Sequence, residues 1–508
     1  MLHADWLARR ASAHPDRPAI VDVDRGLTTT YAQLSDGAWR AATVLRSDFG
    51  VQPGDRVAVL ARNRVEQVEL LFACARLGAL LVPLNWRLAA PELAGVVADC
   101  DPALLICDGP GLEQIAALPP PRLAAPVVGF DVPRGGHPAW SAAKADATPQ
   151  PIAAETGPDT PLLVLYTSGS TGAPKGALLT HGTLGWNAIN TVVGWGLGPS
   201  DRTITAAPLF HTGGWNVLTL PLLYCGGTVS MVAAFEPGQT LAAVASGRAT
   251  VLFGVPTMYQ SMREHPAFAR SDLAGLRFAI SGGAPCPEPL NRAWLDRGVE
   301  FKQGYGLTEV GPNCFSLPDG GGARRPGSVG VPVPHLQVRV VDEEDRPVPP
   351  GQVGELQLSG PTVCAGYWRR PAASAAALTA DGWFRTGDLF AVDEAGWFRC
   401  VGRRKEMFIS GGENVYPAEV ERVLCGIDGV AEAAVVPVAD ERWGEVGHAF
   451  LSFRSASALD EAAIRALCRG QLAGYKVPRS VSVLPALPTG PTGKIDKRRL
   501  ADLAGATS

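Results

Sequence analysis

Between residues 161 and 306 the chain alternates apolar, β-branched runs with segments of helical character. The apolar runs read LLVLY, TITAAP, TVSMV, ATVLFGV and LRFAISGG. Runs that are apolar throughout and separated by helices are typical of parallel strands joined by crossover helices. The pattern therefore predicts an α/β fold whose large N-terminal domain has mixed or parallel sheets with helices. Ligands collect at the carboxyl ends of such strands, so the loops after LLVLY, LRFAISGG and VEFKQ are the candidate binding loops.

From Gln337 onward the pattern changes to short alternating strands and turns. Runs such as QVRVVD and GELQLSG predict a β-rich subdomain. The sequence GWFRTG at Gly382 is echoed by GWFRCVG at Gly396. We interpret this short echo as the two arms of one hairpin and not as a repeat architecture.

A charged cluster, Arg403 to Lys405, follows Gly402 and precedes a second α+β pattern. This pattern has a helix from about Pro417, strands at AAVVPV and HAFLSF, and a helix from about Leu459. A small-molecule site is often built where two domains meet. We predict a large domain over residues 1–402, a hinge over residues 403–405 and a small mobile α+β domain over residues 406–508.

Composition excludes several classes of protein. The chain has 508 residues, of which 46% are hydrophobic and 19% charged, so it is long enough for more than one core. Its net charge is −4 and its basic residues are dispersed, which argues against nucleic acid as a partner. The apolar stretch Val68–Leu84 is too short to span a bilayer and contains Arg76. Charged residues within Met1–Pro15 argue against a signal peptide, so we predict a cytoplasmic protein, either monomeric or homodimeric.

The strongest local motif is TSGSTGAPKG, which follows the apolar run LLVLY directly. Its glycines allow several backbone N–H groups to face one point, its hydroxyls can donate hydrogen bonds, and its lysine is a cation. The spacing differs from that of a Walker loop. A flexible linker is the competing interpretation, although a linker seldom follows a buried strand. We predict a phosphate-binding loop formed by Thr167, Ser168, Gly169, Ser170, Thr171, Gly172 and Lys175.

The segment LYTSGSTGAPKGALLTH, residues 165–181, resembles the signature of the adenylate-forming superfamily. That superfamily comprises acyl-CoA synthetases, adenylation domains of peptide synthetases and firefly-type luciferases. The resemblance extends over nearly the whole chain, with six motifs in the order of the family. The other five are SGGAP from Ser281, QGYGLTE from Gln303, WFRTGDL from Trp383, VGR from Val401 and PTGPTGKID from Pro488.

The resemblance implies roles in the first half-reaction, in which an acid is joined to AMP. Tyr305 would lie on the adenine, Thr308 would contact the α-phosphate, and Glu309 would bind Mg²⁺ together with Thr167. Lys494 would reach across from the small domain to the acid and the α-phosphate, where a cation stabilises the developing charge. The remaining nucleotide contacts would be Gly283, Ala284 and Pro285 at the adenine, Gly304 beside Tyr305, and Asp388 and Arg403 at the ribose.

Each of these motifs also has a purely structural interpretation when it is taken alone. GYGLTE could cap a helix, SGGAP could be an ordinary turn, and Asp388 could cap a turn. Lys494 could be a solvated surface lysine. His211, which resembles a family residue that lines the acid pocket, could be a core histidine. Trp186, Trp215, Asn216, Phe253 and Val255 could shape the same pocket or belong to the core.

Further residues resemble those that act in the second half-reaction. Lys405 stands at the hinge position, about which the small domain would rotate after the adenylate has formed. The rotation would bring Gly411, Gly412 and Glu413 to the site, where small residues would leave a channel for a thiol arm. Trp443 and Arg479 would contact the nucleotide of coenzyme A.

The sequence thus predicts an AMP-forming acid–thiol ligase that uses ATP, Mg²⁺ and coenzyme A. A fatty or aryl carboxylic acid would attack the α-phosphorus of ATP, and a thiolate would then attack the acyl-AMP. One rival hypothesis keeps the first step and changes the acceptor to a carrier-protein thiol, an amine or a small inorganic nucleophile such as nitrite. Two more distant hypotheses are a luciferase-type oxygenase and a nucleotide-binding protein without catalysis.

Overall fold

The structure is a computed structural model that describes residues 5–118, 124–150, 154–167, 174–454, 459–490 and 494–505. In the first third of the chain the elements are α1 (Trp6–Ala13), β1 (Pro18–Asp22), β2 (Leu27–Thr30), α2 (Tyr31–Ser47), β3 (Arg56–Leu60), α3 (Val65–Leu77), β4 (Leu80–Pro83), α4 (Ala90–Cys100), β5 (Leu104–Cys107), α5 (Gly109–Ala116), β6 (Val127–Gly129) and α6 (Trp140–Asp146). The next elements are β7 (Pro161–Thr167), β8 (Lys175–Thr180), α7 (His181–Trp195), β9 (Arg202–Thr205), α8 (Thr219–Cys225), β10 (Thr228–Met231), α9 (Pro237–Ala245), β11 (Val251–Gly254), α10 (Pro256–Glu264), β12 (Phe278–Ser281), α11 (Glu288–Leu295) and β13 (Phe301–Gln303).

The second half is richer in strands. Its elements up to the predicted hinge are β14 (Phe315–Ser316), α12 (Gly321–Arg324), β15 (Val331–Pro332), β16 (Gln337–Val341), β17 (Val353–Ser359), α13 (Pro371–Ala376), β18 (Phe384–Val392) and β19 (Phe398–Arg403). Beyond it lie β20 (Phe408–Ser410), β21 (Glu413–Val415), α14 (Pro417–Cys425), β22 (Val430–Asp440), β23 (Gly444–Phe453), α15 (Glu461–Arg469), β24 (Ser480–Val483) and α16 (Lys497–Gly505).

Three sheets form the part of the chain that precedes residue 304. One has the order β6-β5-β3-β4-β7-β8, the second β2-β1-β10-β9 and the third β11-β12-β13. Nearly all of their pairs are parallel, and every residue of β4 and β5 is buried. Such strands have both faces covered, which explains their continuous apolar character. The predicted fold class, α/β with mixed or parallel sheets, is confirmed.

The predicted phosphate loop leads into a strand and not directly into a helix. Strand β7 continues into the antiparallel strand β8, with Thr167 opposite Lys175, and helix α7 begins only at His181. The side chain of Thr180 accepts a hydrogen bond from the backbone N–H of Thr183 and thereby caps that helix. The loop therefore joins two hydrogen-bonded strands, and these strands hold its two ends side by side.

The β-rich subdomain is the antiparallel sheet β16-β17-β18-β19. Strands β18 and β19 pair directly, with Val392 opposite Phe398 and Asp388 opposite Arg403. The sequence echo at Gly382 and Gly396 is therefore confirmed as two arms of one hairpin. Its register places two of the predicted nucleotide-binding residues next to each other.

The last part of the chain forms a sheet of its own. Strand β22 pairs antiparallel with β23, and β24 adds to β23 in parallel. Within the portion that the structure describes, the strands β20 to β24 pair only with one another. The predicted helices and strands of this region are confirmed, and the division into residues 1–402, 403–405 and 406–508 stays a prediction.

The apolar stretch at residues 68–84 is shared between helix α3 and strand β4. Over the described ranges, the structure contains no helix that has both the length and the apolar character needed to cross a membrane.

One tyrosine joins helix α10 to the ends of two strands beside a predicted binding loop. The Tyr259 hydroxyl lies 3.1 Å from the carbonyl oxygen of Leu252 in β11 and 3.1 Å from that of Ile280 in β12. Its fully buried ring packs edge-on against Trp294 and Phe301. A hydroxyl has a single proton, so the two carbonyls share it, and both would lose their side-chain donor together.

We predict that Tyr259→Phe lowers the free energy of unfolding by about 1–2 kcal/mol, because two buried carbonyl oxygens lose a hydrogen-bond donor while the ring stays in place. Urea denaturation followed by tryptophan fluorescence would measure the change. The control is Tyr475→Phe, which removes a hydroxyl from a half-buried ring and should change stability by less than about 0.5 kcal/mol. Equal effects of the two substitutions would show that the Tyr259 hydroxyl is not a structural link.

Candidate active site

The two ends of the predicted phosphate loop are fixed, while its central residues, Ser168, Gly169, Ser170, Thr171 and Gly172, lie outside the described residues. The Thr167 hydroxyl donates to the backbone carbonyl of Lys175 across 3.3 Å. This bond adds to the ladder between β7 and β8. The side chains of Thr167 and Lys175 are both only partly buried, so each retains access to solvent.

Three motifs that are distant in sequence meet at Asp388. The Tyr305 hydroxyl donates to one carboxylate oxygen of Asp388 at 2.6 Å, and Arg403 Nε lies 3.0 Å from the other. Burial raises the pKa of the Asp388 carboxyl, while the Arg403 cation and the Tyr305 hydroxyl oppose that rise. The Tyr305 ring is held edge-on by Phe315 and Phe390. The structure thus brings Tyr305, Asp388 and Arg403 together in one polar cluster with an aromatic base.

The predicted adenine-side loop lies against the start of the GYGLTE motif. The backbone N–H of Gly304 donates to the carbonyl of Ser281 at 2.7 Å, and a Cβ at Gly304 would come within 3.0 Å of Ile280. Gly283 has φ +82°, a conformation that side chains disfavour. Ala284 and Pro285 follow it. The backbone N–H of Cys286 then donates to the side-chain oxygen of Gln303 at 2.9 Å, which holds the end of the loop. The close contact between these two loops explains why they are built from residues with small side chains or none.

The GYGLTE motif itself is a loop and not a strand beyond Gln303. Thr308 and Glu309 lie in a turn that Leu307 and Gly311 close by a backbone bridge. The Glu309 carboxylate accepts a hydrogen bond from the Tyr367 hydroxyl at 3.0 Å. The turn is therefore held by its own backbone bridge and by the hydrogen bond from Tyr367.

Mg²⁺ fits the oxygen donors available at this site. Glu309 supplies a carboxylate and Thr167 a hydroxyl, and both are hard oxygen ligands of the kind that Mg²⁺ prefers. Over the part of the chain that the structure describes, no cluster of three or more His, Cys, Asp or Glu side chains forms a metal cage. Such a sparse donor set suits an ion that is bound through one or two protein groups and the phosphates of a nucleotide.

Lys494, near the end of the chain, comes into the range of these groups. Crowding by protein atoms lowers the pKa of Lys494, the Arg403 cation lowers it further, and the carboxylates of Asp388, Glu406 and Glu309 oppose the shift. Its surface nevertheless remains open to solvent, as expected of a side chain in the wall of a cleft. The backbone of Lys494 is held by Gly490, whose N–H donates to the Lys494 carbonyl at 2.8 Å, and Thr489 forms a β-bridge with Ile495.

His211 lies within the influence of Lys494. Burial lowers the pKa of His211 to about 4, and the cations of Lys494 and Arg87 contribute to the shift. The imidazole is therefore neutral at pH 7. It is followed by a π-helix at Gly213–Val217, a type of helix that is rare and frequent at functional sites.

The residues around this π-helix divide into core and wall. Trp215 is fully buried and its indole N–H donates to the carbonyl of Leu209, so it belongs to the core. The ring of Phe253 lies between two glycines, because a Cβ at Gly213 or at Gly282 would come within 3.0–3.3 Å of it. Asn216 is buried, whereas Trp186 is half-buried and its ring lies beside that of His335. Val255 lies close to Gly283, since a Cβ at that glycine would come within 3.5 Å of the Val255 side chain.

The residues that were predicted for coenzyme A lie elsewhere. The Trp443 ring covers Gly411 so closely that a Cβ there would collide with it, and Gly411 N donates to the carbonyl of Trp443. Gly411 and Gly412 both have positive φ, and Glu413 is exposed. Arg479 N bonds the carbonyl of Gly447. These contacts are made within residues 411–479, so they do not join the residues to the Asp388 cluster.

Sequence reasoning missed several residues that surround the site. Tyr367 bonds Glu309, and Arg404 forms an ion pair with Glu355 at 3.1 Å. Glu406 forms an ion pair with Lys497 at 2.8 Å. Arg404 and Glu406 lie on either side of the predicted hinge residue, Lys405. These pairs were missed because a run of charged residues in a sequence does not show which residue each of them contacts.

Comparison with known proteins identifies the family. The model of the AMP-binding enzyme family matches residues 7–368, and that of the AMP-binding enzyme C-terminal domain matches residues 419–494. A feruloyl-CoA synthase from Amycolatopsis sp is 46% identical over 492 residues, which are 97% of each chain. An indoleacetate–CoA ligase from Aromatoleum aromaticum is 41% identical over 497 residues, covering 97% of this chain and 96% of the relative.

A solved structure matches the whole fold. MatB from Rhodopseudomonas palustris with ATP bound is 34% identical and superimposes with a TM-score of 0.89 over 98% of each chain. The apo form of MatB superimposes with a TM-score of 0.81, over 99% of this chain and 98% of that one. The chain thus superimposes better on the ATP-bound form than on the apo form. Together with the two family matches, these similarities show that the chain belongs to the AMP-binding enzymes of the adenylate-forming superfamily.

Proposed function

We propose that this enzyme activates an aryl carboxylic acid as its acyl-AMP, releases pyrophosphate and then transfers the acyl group to coenzyme A. The observation that carries the proposal is the cluster in which Tyr305, Asp388 and Arg403 meet, with Lys494 near enough for its charge to interact with that of Asp388 and Arg403. The relatives support the acceptor and the acid, because ferulate and indoleacetate are both acids with an aromatic ring. ATP and coenzyme A are both cytoplasmic metabolites, and the cytoplasm is where we place the enzyme.

In the first step, the enzyme must bring a carboxylate to a polyanion. Lys494 supplies the positive charge that offsets their repulsion as the new P–O bond forms. Asp388 accepts hydrogen bonds from the ribose hydroxyls, and Arg403 fixes the orientation of that carboxylate. Lys175 and the loop that precedes it hold the phosphates, and Thr308 contacts the α-phosphate. Bound Mg²⁺, held by Glu309 and Thr167, supplies further screening of the phosphate charge.

His211 contributes to this step as a neutral group. Its lowered pKa keeps the ring uncharged at pH 7, so Lys494 is the cation that faces the acid. A neutral imidazole can line the pocket without attracting a second anion. Phe253, Val255 and Trp186 complete the proposed acid pocket on the apolar side.

The second step requires the small domain to turn. Arg404 is anchored to the large domain by Glu355 in β17, whereas Glu406 is anchored to the small domain by Lys497, which also contacts Glu421 at 2.7 Å. Lys405 lies between these two anchors. A rotation about Lys405 can therefore leave both ion pairs intact while it removes Lys494 from the site.

After this rotation the second set of residues would serve the thiol. Gly411, Gly412 and Glu413 would line the channel for its arm, and Trp443 and Arg479 would contact the nucleotide of coenzyme A. We assign these roles to the arrangement reached by rotation, because the contacts described above join Gly411 to Trp443 and Arg479 to Gly447.

The first test is a substrate screen. We predict pyrophosphate release with aryl acids such as ferulate, indoleacetate and benzoate, with kcat/KM at least about 10-fold above that for straight-chain acids, a ratio that corresponds to about 1.4 kcal/mol of pocket complementarity. Acyl-CoA formation should equal pyrophosphate release when coenzyme A is present. Turnover that ignores coenzyme A but responds to an amine or to nitrite would contradict the proposed acceptor. A preference for straight-chain acids would contradict the proposed acid.

The role of Lys494 can be separated by half-reaction. We predict that Lys494→Ala slows acyl-AMP formation by about 10²- to 10³-fold, because the transition state loses its cation. Thioester formation from supplied acyl-AMP should stay within about 3-fold of wild type, a difference of less than about 0.7 kcal/mol. Lys476→Ala removes a lysine from the same domain and should spare both steps. Equal loss of both half-reactions in Lys494→Ala would show that the lysine is needed for folding or for both steps.

The hinge residue should have the opposite effect. We expect Lys405→Pro to leave acyl-AMP formation nearly unchanged and to slow thioester formation by about 10²-fold, because proline fixes the backbone angle φ that must change during rotation. Single-turnover measurement of each half-reaction would show the difference. Lys405→Ala keeps the backbone free and should retain both steps. Unchanged thioester formation in Lys405→Pro would place the rotation at another residue.

A further inference from the structure

Residues 364–368, named here the 364–368 segment, extend the sheet beyond the edge strand β8. Ala365 N donates to the carbonyl of Leu178, Leu178 N donates to the carbonyl of Gly366, and Trp368 N donates to the carbonyl of Gly176. At its beginning, Cys364 N donates to the backbone carbonyl of Glu309 at 2.6 Å. The segment therefore joins the strand that begins with Lys175 to the turn that contains Glu309.

One side chain of this segment contacts both groups. The Tyr367 hydroxyl donates to Glu309 Oε1 at 3.0 Å, and Lys175 Nζ lies 5.4 Å from the centre of the Tyr367 ring. An ionised carboxylate can only accept hydrogen bonds, so the Tyr367 hydroxyl is the donor of this pair. The ring position relative to Lys175 is that of a cation–π contact.

The backbone of Tyr367 is itself held in place. Its N–H donates to Ser374 Oγ at 2.8 Å, and that hydroxyl donates in turn to the carbonyl of Arg370 at 2.9 Å. The preceding residue, Gly366, has φ +113°, and a Cβ there would come within 2.6 Å of Ser374 Oγ. Glycine is therefore required at residue 366 to keep the serine beside the Tyr367 amide, and the tyrosine is fixed from both sides.

We propose that Tyr367 is a positioning residue of the first half-reaction, which holds the Glu309 carboxylate and the Lys175 ammonium in one arrangement. The inference rests on the roles proposed above for Glu309 and Lys175. One oxygen of the Glu309 carboxylate, Oε1, accepts the hydrogen bond from Tyr367. The other oxygen, Oε2, is left to bind a cation. Partners of this kind orient metal ligands, and their loss weakens metal affinity by about 10- to 100-fold.

The hydroxyl and the ring have separable effects. Tyr367→Phe removes the bond to Glu309 and keeps the ring beside Lys175, whereas Tyr367→Leu removes both. The first substitution should affect the metal, and the second should also affect the binding of the nucleotide phosphates. A residue that served only the stability of the fold would lower the melting temperature without changing metal affinity.

The experiment measures Mn²⁺ binding by electron paramagnetic resonance, with the unreactive analogue α,β-methylene ATP bound to the full chain. We expect Tyr367→Phe to weaken Mn²⁺ binding by about 10-fold and to raise the half-saturating Mg²⁺ concentration for pyrophosphate release equally, with kcat at saturating Mg²⁺ within about 3-fold of wild type. Tyr367→Leu should in addition raise the KM for ATP. The matched control is Tyr31→Phe, which removes a buried hydroxyl that donates to the carbonyl of Gly227 at 2.7 Å and should leave Mn²⁺ affinity unchanged.

The outcomes separate this inference from the proposed function. Wild-type Mn²⁺ affinity in Tyr367→Phe would overturn the inference, and so would an equal loss in Tyr31→Phe. If Glu309→Gln abolishes Mn²⁺ binding while Tyr367→Phe does not, only the role of Tyr367 is wrong. If Glu309→Gln binds Mn²⁺ normally, the metal role proposed for Glu309 is wrong as well. Should Tyr367→Leu fail to fold, Tyr367→Phe still decides, because it removes a single oxygen atom.

Discussion

The ion pair between Asp388 and Arg403 is the interaction on which the rest of the site depends. The register of strands β18 and β19 places the two residues opposite each other, and burial of the carboxylate makes the guanidinium an essential counter-charge. Arg403 is also the last residue of β19 and the first residue of the predicted hinge. The residue that orients the proposed ribose-binding carboxylate is therefore also the point from which the predicted small domain would depart. Lys494 is positioned relative to the same point.

The charges around that point favour an anionic ligand. Arg403 and Lys494 repel each other, and the pKa of Lys494 is lowered as a result of crowding and of this repulsion. A bound nucleotide triphosphate relieves the repulsion, and this stabilises the arrangement in which both cations face the cleft. Once pyrophosphate has left, less negative charge remains to hold Lys494. In the proposed mechanism, the first step would thus weaken the interaction that keeps the small domain in its first position, while the ion pairs of Arg404 and Glu406 would survive the rotation.

The sequence predicted those features that are recorded locally. The apolar runs LLVLY and ATVLFGV indicated β7 and β11, because most residues of these strands are buried, and the echo at Gly382 and Gly396 indicated the hairpin that joins Asp388 to Arg403. Features that depend on pairing over long separations were missed. Strand β8 was missed because it ends at Thr180, directly before helix α7 begins at His181, so its pattern is not separated from that of the helix. Tyr367 produced no signal, because its partners, Glu309 and Lys175, are distant in sequence and a hydrogen bond leaves no periodicity.

The acid pocket shows why residue type alone could not decide between core and wall. Trp215 and Trp186 are the same type of residue, and the sequence alone could not separate them. Trp215 is fully buried and its indole N–H donates to the carbonyl of Leu209, whereas Trp186 is half-buried. Phe253 is informative in another way. Its ring occupies the space that side chains at Gly213 and Gly282 would need, so the two glycines are explained by the phenylalanine and not by the acid. In the proposed acid pocket, Phe253 would consequently set the shape offered to the acid. A larger side chain at either glycine would act on specificity by displacing that ring, before it touched any substrate.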